Sequence, residues 1–447
     1  MTVSQDQLIE ADLIISAPWI VPVIPSGTVL EEHALAIRDR RISAIAPRSD
    51  IAARYHQARS VRLDHHVLIP GLVNAHGHSA MALMRGIADD IPLKQWLEGR
   101  IWPLESQHVS PEFVCDGALL AVAEMITGGT TCFADMYFFP EQVAKVCLGA
   151  GMRVQLACPI LDFATAWSRN ADECISKTVE LYKEYRDSEL VSVAFGPHAP
   201  YTVSDEPLTD IANLANELKV PVHIHMHETA QEIEDALANE GRRPLQRMAD
   251  LGLLGPRLVN VHATQLTELE MQLLAEHGSN VVHCPSSNLK LASGLCEVEA
   301  LRNTGVNVAL GTDGAASNND LDMFGELQLA AMLGKAVAND AQAVPAFYAL
   351  EMATINSARA MGLAEDIGSL ETGKFADIAA VNLDRLSTVP INNVISQLAY
   401  AVQSHQVTHL WCGGDTLLND GELETLDLQY IKQRAHHWQQ AFRQTQE

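Results

Sequence analysis

One stretch decides how this chain folds: Val67-Leu68-Ile69-Pro70-Gly71-Leu72-Val73-Asn74-Ala75-His76-Gly77-His78. Its apolar run predicts a buried strand, and that strand ends in two histidines two residues apart. Side chains alternate across a pleated strand, so His76 and His78 lie on one face. Two imidazoles presented in this way are half of a metal site, and the remaining ligands are expected at the ends of other strands.

The sequence after this stretch alternates between strand-like and helical segments, which is typical of βα units around a parallel sheet. We predict eight strands: Val67–His78, Thr130–Met136, Arg153–Leu161, Val191–Pro200, Val220–Glu228, Leu258–Ala263, Asn280–Pro285 and Val306–Gly314. The predicted helices include Pro111–Thr127, Pro140–Gly149, Ala171–Tyr185, Leu208–Leu218 and Phe324–Ala338. Eight strands with seven or eight helices favour a closed (β/α)8 barrel of the TIM type over an open sheet.

Both ends of the chain instead show short strand-like stretches separated by turn residues. We therefore predict an α/β protein in which a small β-sandwich, built from both chain ends, lies beside the barrel. The predicted divisions are residues 1–65 and 371–447 for the sandwich, the latter with a terminal helix, and 66–370 for the metal-dependent catalytic barrel. In the C-terminal part, Asn419-Asp420-Gly421 predicts a hairpin turn.

The composition disfavours several kinds of partner. Thirty basic and 56 acidic residues give a formal charge of −26, which would repel nucleic acids and anionic membranes. The chain has no run of about 18 apolar residues that would predict a membrane span, and its acidic start differs from the basic start of a secretory leader. Eight scattered cysteines without a Cys-x-x-Cys pair indicate reduced thiols. We therefore expect a cytoplasmic protein.

Histidines and acids recur at the predicted strand ends, where barrels of this kind carry their reactive groups. They are His76, His78, His198, His223, His225, His227, Glu228, His262, His283 and Asp313. Neutral imidazoles with one carboxylate suit Zn²⁺, and Fe²⁺ is the alternative. A catalytic ion keeps an open position for water. Periodicity alone leaves the ligand of the fifth strand open, because positions 223, 225 and 227 share one face.

These motifs resemble those of the amidohydrolase superfamily, in its branch of deaminases and chlorohydrolases. The resemblance rests on five segments that occur in order: Pro70–His78, His225–Glu228, Val261–Ala263, His283–Leu291 and Leu310–Asn319. It implies that one divalent metal ion, with zinc expected, binds to His76, His78, His225 and Asp313. The fourth strand has no lysine in Ser192–Gly196, so a carboxylated lysine that bridges two metal ions is not available there.

Within that branch the chain is most similar to enzymes that act on 5′-methylthioadenosine and S-adenosylhomocysteine, on the basis of Trp102–Glu105, Gly196–Tyr201 and His283–Lys290. The resemblance implies hydrolytic deamination of the adenine ring to the inosine analogue and ammonia. In this reaction Glu228 protonates N1, His262 positions or deprotonates the water, and Asp313 passes a proton to the departing ammonia. The implied substrate contacts are Trp102, Glu105 on the ribose hydroxyls, His198, Glu228, His283 and Asn288.

Other interpretations stay open from the sequence. A guanine, 8-oxoguanine or triazine amino- or chlorohydrolase of the same branch would use nearly the same metal site, although Glu105 favours a nucleoside. A non-catalytic scaffold of the same fold would be expected to lack metal ligands. Relatives can bind the homocysteine carboxylate with arginines after the third strand, where only Arg169 follows closely here.

The sequence does not rank methylthioadenosine, S-adenosylhomocysteine and adenosine. The resemblance implies a homo-oligomer, a dimer or a tetramer.

Overall fold

A computed structural model describes residues 9–56 and 59–446. The strands that precede the barrel are short: β1 (Ile9–Glu10), β2 (Leu13–Ser16), β3 (Trp19–Ile20), β4 (Leu30–Glu31), β5 (His33–Arg38), β6 (Arg41–Pro47), β7 (Tyr55–His56), β8 (Arg59–Arg62) and β9 (His66–Pro70). The predicted domain divisions stay predictions, and their residues 1–8, 57–58 and 447 lie outside the described residues.

Eight parallel strands follow, and they pair in the order of the sequence. They are β10 (Leu72–Gly77), β11 (Thr130–Asp135), β12 (Arg153–Ile160), β13 (Val191–Pro197), β14 (Val222–Met226), β15 (Leu258–His262), β16 (Asn280–His283) and β17 (Asn307–Leu310). The last strand returns beside β10, where the Asp313 amide donates to the His76 carbonyl over 3.1 Å. The predicted TIM-type barrel is confirmed, and the carboxyl ends of its strands meet at one end.

After the barrel come β18 (Ile378–Asn382), β19 (Val407–Cys412), β20 (Asp415–Asn419) and β21 (Glu422–Leu423). One flanking sheet has the order β21-β20-β19-β18-β9-β3-β4, and a second has the order β6-β5-β2-β8. Buried residues from both sheets, among them Ile15, Leu68 and Trp411, pack into one core cluster. The predicted sandwich from both chain ends is confirmed. Its predicted hairpin turn is also present, because Asp420 and Gly421 both have positive φ, 49° and 85°, between β20 and β21.

Helix α1 (Arg48–Arg54) packs against β5 and β6 of a flanking sheet. The other α-helices follow from the barrel region to the end of the chain: α2 (Leu93–Trp96), α3 (Trp102–His108), α4 (Pro111–Thr127), α5 (Pro140–Ala150), α6 (Ala171–Tyr185), α7 (Asp205–Leu218), α8 (Ala230–Glu240), α9 (Pro244–Asp250), α10 (Glu268–His277), α11 (Pro285–Lys290), α12 (Val298–Thr304), α13 (Met323–Ala338), α14 (Ala346–Met352), α15 (Ile355–Ala360), α16 (Val394–Tyr400) and α17 (Leu428–Gln446). The start of α4 shows why these helices could be predicted. Ser110 caps it by accepting from the Phe113 amide, and Pro111 takes the first position.

The stretch from Val67 to His78 is not the single barrel strand that the sequence predicts. Its first half is β9, which pairs antiparallel with β18 in a flanking sheet, and only its second half is the barrel strand β10. Gly71 joins the two halves, and a Cβ atom at this position would overlap the Thr131 side chain. Periodicity does not show this change of sheet, because an apolar run continues across the joint, from Val67–Ile69 to Leu72–Val73, and both halves are buried.

A buried ion pair joins the barrel to the flanking sheets. Arg153, at the start of β12, donates to Asp377 from Nε to Oδ2 over 2.7 Å and from Nη2 to Oδ1 over 3.1 Å. The amide of Gly413 donates to the same carboxylate over 2.7 Å, and the guanidinium lies 4.1 Å above the ring of Phe375. The charge of Arg153 is therefore tolerated in the interior because Asp377 is there to accept its hydrogen bonds.

We expect Asp377→Ala to lower the free energy of unfolding by about 3–5 kcal/mol, because it leaves the Arg153 charge buried without its partner. Urea unfolding followed by circular dichroism measures the change. Asp415→Ala removes an ion pair between Asp415 and Arg40 on the surface and serves as the control, with an expected loss of about 0–1 kcal/mol. Equal losses in the two variants would contradict the importance of the buried pair.

Candidate active site

Three histidines and one aspartate meet at the carboxyl end of the barrel. His76 and His78 come from the end of β10, His225 from β14, and Asp313 from the loop after β17. Each offers one ligand atom, and these four atoms lie within 4.8 Å of one another. The Nε2 atoms of His76 and His78 are 3.2 and 3.1 Å from Oδ1 of Asp313. The four residues form a metal-binding group, as the resemblance implied.

Two of the imidazoles are oriented by backbone carbonyl groups. His78 donates from Nδ1 to the carbonyl of Met136 over 2.6 Å, and His225 donates from Nδ1 to the carbonyl of His198 over 2.6 Å. A proton held on Nδ1 leaves the lone pair of Nε2 free for a metal ion. The ring orientations therefore suit a metal ion between the Nε2 atoms.

His76 is oriented by another histidine. Its Nδ1 atom lies 2.8 Å from Nε2 of His223, which is itself completely buried. Nε2 of His76 is buried and has no hydrogen-bond partner among the described residues. Burial lowers the pKa of His76 to about 4, so its imidazole is neutral at pH 7. A neutral, buried nitrogen without a partner, beside a carboxylate, fits a divalent metal ion.

The structure separates His223, His225 and His227, which periodicity left equivalent: the first two lie in β14 and the third directly follows it. His225 joins the metal group, whereas His223 lies behind His76. His227 leaves the pleat, because its backbone has a left-handed φ of 53°, and its Nε2 accepts from the Leu245 amide over 3.1 Å. After this turn Glu228 lines the cavity at the metal group. The alternation of side chains across a β-strand predicts which face a residue occupies only as far as the strand itself continues.

Glu228 and His262 lie beside each other next to the metal group. Oε2 of Glu228 is 3.8 Å from Nε2 of His262, and its Oε1 accepts from the Ser293 hydroxyl over 3.2 Å. Burial raises the pKa of Glu228, so this carboxyl group holds a proton more readily than an exposed glutamate. Nδ1 of His262 lies 2.8 Å from Oδ1 of Asn288. With its proton on Nδ1, His262 keeps the lone pair of Nε2 for a proton from another group.

A cavity of about 530 Å³ opens at the metal group, and its lining includes His78, His225, Glu228, His262 and Asp313. Of the other predicted substrate contacts, Trp102, Glu105 and His198 also line it. His283 and Asn288 are buried and lie outside this lining. Asn288 contacts His262 instead, and substrate contact by His283 and Asn288 stays a prediction.

The sequence did not point to Tyr137, which lines the cavity directly after β11. Its hydroxyl group donates to Oε1 of Glu105 over 2.7 Å. Burial raises the pKa of Glu105 to about 7, although the Tyr137 hydrogen bond opposes the rise. A position just beyond a barrel strand is the only signal that the sequence offered for Tyr137.

The sequence and the fold both have known relatives. The amidohydrolase family matches residues 67–417. A 5-methylthioadenosine/S-adenosylhomocysteine deaminase from Saccharophagus degradans is 52% identical over 429 residues, which are 96% of this chain and 96% of that protein. A 5′-deoxyadenosine deaminase from Methanothermobacter thermautotrophicus is 42% identical over 369 residues, 83% of this chain and 86% of that protein. The crystal structure of an adenosine deaminase from Xanthomonas campestris with bound zinc has a TM-score of 0.97 at 49% identity and covers 98% of this chain and 100% of that chain.

We expect His223→Phe to weaken zinc binding by about 10–100-fold, because His76 loses the group that orients its ring. Competition with a chromophoric chelator measures the affinity. His227→Phe is the matched control, since His227 is equally buried in the same segment but contacts Leu245 rather than a metal ligand. The role of His223 would be contradicted if both variants bound zinc equally well.

Proposed function

This chain belongs to the amidohydrolase family, and we propose that it is a metal-dependent hydrolase that deaminates the adenine ring of nucleosides such as 5′-methylthioadenosine. One observation carries the proposal: a single cavity is lined by His78, His225 and Asp313 of the metal group and also by Glu228, His262 and Glu105. The relatives named for deamination of 5′-substituted or 5′-deoxy adenosines support the same reaction.

Zinc is the proposed metal, because three neutral imidazoles and one carboxylate are its preferred ligands, and Fe²⁺ shares this preference. A bound zinc ion lowers the pKa of a water ligand from about 15.7 toward about 7 and so supplies a nucleophile at neutral pH. We propose one ion per chain, since β13 has no lysine that could bridge a second.

Glu228 and His262 divide the proton transfers in the proposed reaction. The water oxygen bonds to C6 of the adenine ring, and the bond from C6 to the amino nitrogen breaks. Glu228 delivers one proton to N1, for which its raised pKa suits it. His262 receives the first proton of the water at Nε2 and returns it to Glu228, whose Oε2 lies 3.8 Å away, so that Glu228 regains the proton it gave to N1. Asp313 receives the second proton from the oxygen bonded to C6 and passes it to the departing amino group. The two protons of the water thus end on N1 and on ammonia, and C6 becomes a carbonyl group.

Glu105 gives the site its preference for a nucleoside over a free base. Its carboxyl group accepts hydrogen bonds and lines the same cavity as the metal group, and Tyr137 holds it in place over 2.7 Å. We propose that Glu105 accepts hydrogen bonds from the ribose hydroxyls. Trp102 and His198 complete the wall around the sugar in this arrangement.

The rest of the cavity favours substrates with an uncharged 5′ group. None of the described residues that line it is lysine or arginine. The wall after β12 is formed by Leu161, Phe163, Ala164, Thr165 and Ala166. The side chain of Arg169 is 87% exposed, lies outside the lining and pairs with Glu173 over 2.7 Å. Within this lining the carboxylate of S-adenosylhomocysteine would have no cationic partner, which is unfavourable.

A nucleoside panel tests this function. Zinc-loaded protein is incubated with 5′-methylthioadenosine, S-adenosylhomocysteine, adenosine and guanine, while ammonia release and the absorbance shift from adenine to hypoxanthine are followed. We expect kcat/KM for 5′-methylthioadenosine to exceed that for S-adenosylhomocysteine by about tenfold or more, equivalent to about 1.4 kcal/mol. Activity on guanine but on no adenosine derivative would contradict the proposed reaction. Equal values for the two thio-nucleosides would contradict the preference for an uncharged group.

We expect Glu228→Gln to lower kcat by about 10²–10⁴-fold, because the amide cannot deliver a proton to N1. Its zinc content should stay at the parent level, since Glu228 is not part of the metal group. Initial rates and elemental analysis measure the two quantities. Glu240→Gln, on the outer end of α8, is the control with expected parent activity. Near-normal turnover of Glu228→Gln would show that another group protonates N1.

The cellular location and the oligomeric state that we propose are inferred mainly from the sequence. The eight cysteines are free thiols, which supports our proposal of a cytoplasmic location. Among the described helices, none is both long enough and apolar enough to cross a membrane. Assembly into a dimer or tetramer stays a prediction.

A further inference from the structure

Asp313 presents its two carboxylate oxygens to different partners. Oδ1 lies toward Nε2 of His76 and His78, at 3.2 and 3.1 Å. Oδ2 instead accepts from the hydroxyl of Ser287 over 2.6 Å and from the hydroxyl of Ser317 over 2.7 Å. Two donors occupy the two lone pairs of Oδ2. Oδ2 of Asp313 is therefore engaged by the two serine hydroxyls, and Oδ1 is left to bind a metal ion.

The two serines come from separate parts of the chain. Ser287 lies in α11, after β16, and Ser317 lies in the loop after β17. Asp313 itself has a left-handed φ of 62°, a conformation that persists only where the surroundings hold it. Both serines are buried, so their hydroxyls can support Asp313 only if the two segments stay in register with each other.

Glu326, in α13, bridges the two segments. Its Oε2 accepts from the amide of Ser286 over 3.2 Å, and its Oε1 accepts from Nδ2 of Asn318 over 2.7 Å. Ser286 directly precedes Ser287 in the chain, and Asn318 directly follows Ser317. Nδ2 of Asn318 also donates to the carbonyl of Thr312, the neighbour of Asp313, over 2.8 Å.

Glu326 is an unusual residue to find in this place. It is only 1% exposed, and no ion pair of the described residues includes it. A buried carboxyl group without a cationic partner is unfavourable unless its hydrogen bonds are satisfied. The hydrogen-bond donors to Glu326 are the amide of Ser286, which precedes Ser287, and the side chain of Asn318, which follows Ser317. The buried position of Glu326 is therefore better explained by its hydrogen bonds to these two segments than by the packing of an apolar core.

We propose that Glu326 is a positioning residue for the metal ligand Asp313. By bridging Ser286 and Asn318, it directs the hydroxyls of Ser287 and Ser317 to Oδ2 and leaves Oδ1 for the ion. Loss of this bridge lets Asp313 rotate away from the histidines, so the affinity for metal falls. The inference concerns metal binding alone and goes beyond the proposed reaction.

The test measures zinc affinity of the full chain by competition with a chromophoric chelator, without a substrate. We expect the double variant Ser287→Ala/Ser317→Ala to lose about 10–100-fold, the range for direct partners of a metal ligand. Glu326→Leu removes both acceptors at similar volume and should lose several-fold, whereas Glu326→Gln keeps one acceptor and should lose less. In the double-serine background Glu326→Leu should cause no further loss, because its effect passes through the serines.

Asp116→Asn is the matched control. Asp116 is a buried carboxylate in α4 that accepts from Trp438 over 2.8 Å and from Arg434 over 2.9 Å, and it has no hydrogen bond to the metal group. Its replacement should lower the thermal unfolding midpoint while zinc affinity stays at the parent value. A fall in zinc affinity as large as that of Glu326→Leu would show a general effect of stability and would overturn the proposal.

Three other results would overturn it. They are parent-like zinc affinity in Glu326→Leu, an equal loss from Glu326→Leu in both backgrounds, and parent-like affinity in the double-serine variant. If Glu326→Leu does not fold, Asn318→Ala removes one arm of the bridge at a half-buried position and takes its place in the same comparison. Because the readout needs no nucleoside, failure here leaves the proposed deamination intact, and failure of the deamination leaves this result intact.

Discussion

The active site depends on one constraint, which is that three histidine imidazoles and one carboxylate must stay within 4.8 Å of one another in a buried place. Such a group is unfavourable by itself, because its polar atoms are removed from water. Carbonyl groups, a further histidine and two serine hydroxyls satisfy the atoms that do not face the ion. The left-handed backbone at His227, His262 and Asp313, with φ of 53°, 73° and 62°, occurs at the strand ends that build this site.

The metal group is tied to the flanking sheets as well as to the barrel. Strand β9 belongs to a flanking sheet, and β10 leads to His76 and His78, which are five and seven residues beyond the Gly71 joint. The ion pair of Arg153 and Asp377 fixes the two parts near the opposite end of the barrel strands. The sandwich therefore helps to hold the first two ligands in place, although it contributes no ligand of its own.

The fold and the metal group could be predicted because their signals are local. Strands and helices alternate regularly, α4 and α6 begin and end where the sequence predicts, and ligands stand directly at strand ends. The orientation of the β14 histidines could not be predicted, since it depends on a left-handed turn at His227. Tyr137 and Glu326 were missed for another reason. Tyr137 bonds to Glu105, 32 residues away, and Glu326 to Ser286, 40 residues away, and no spacing rule records such contacts.

The central claim is that a single metal ion in the four-residue group drives deamination of the adenine ring. Titration of the metal-free protein with zinc, while ammonia release from 5′-methylthioadenosine is measured, tests this claim most directly. We expect negligible activity without zinc, a linear rise, and a plateau at one zinc ion per chain. Full activity in the metal-free protein, or a rise that continues to two ions per chain, would contradict the claim.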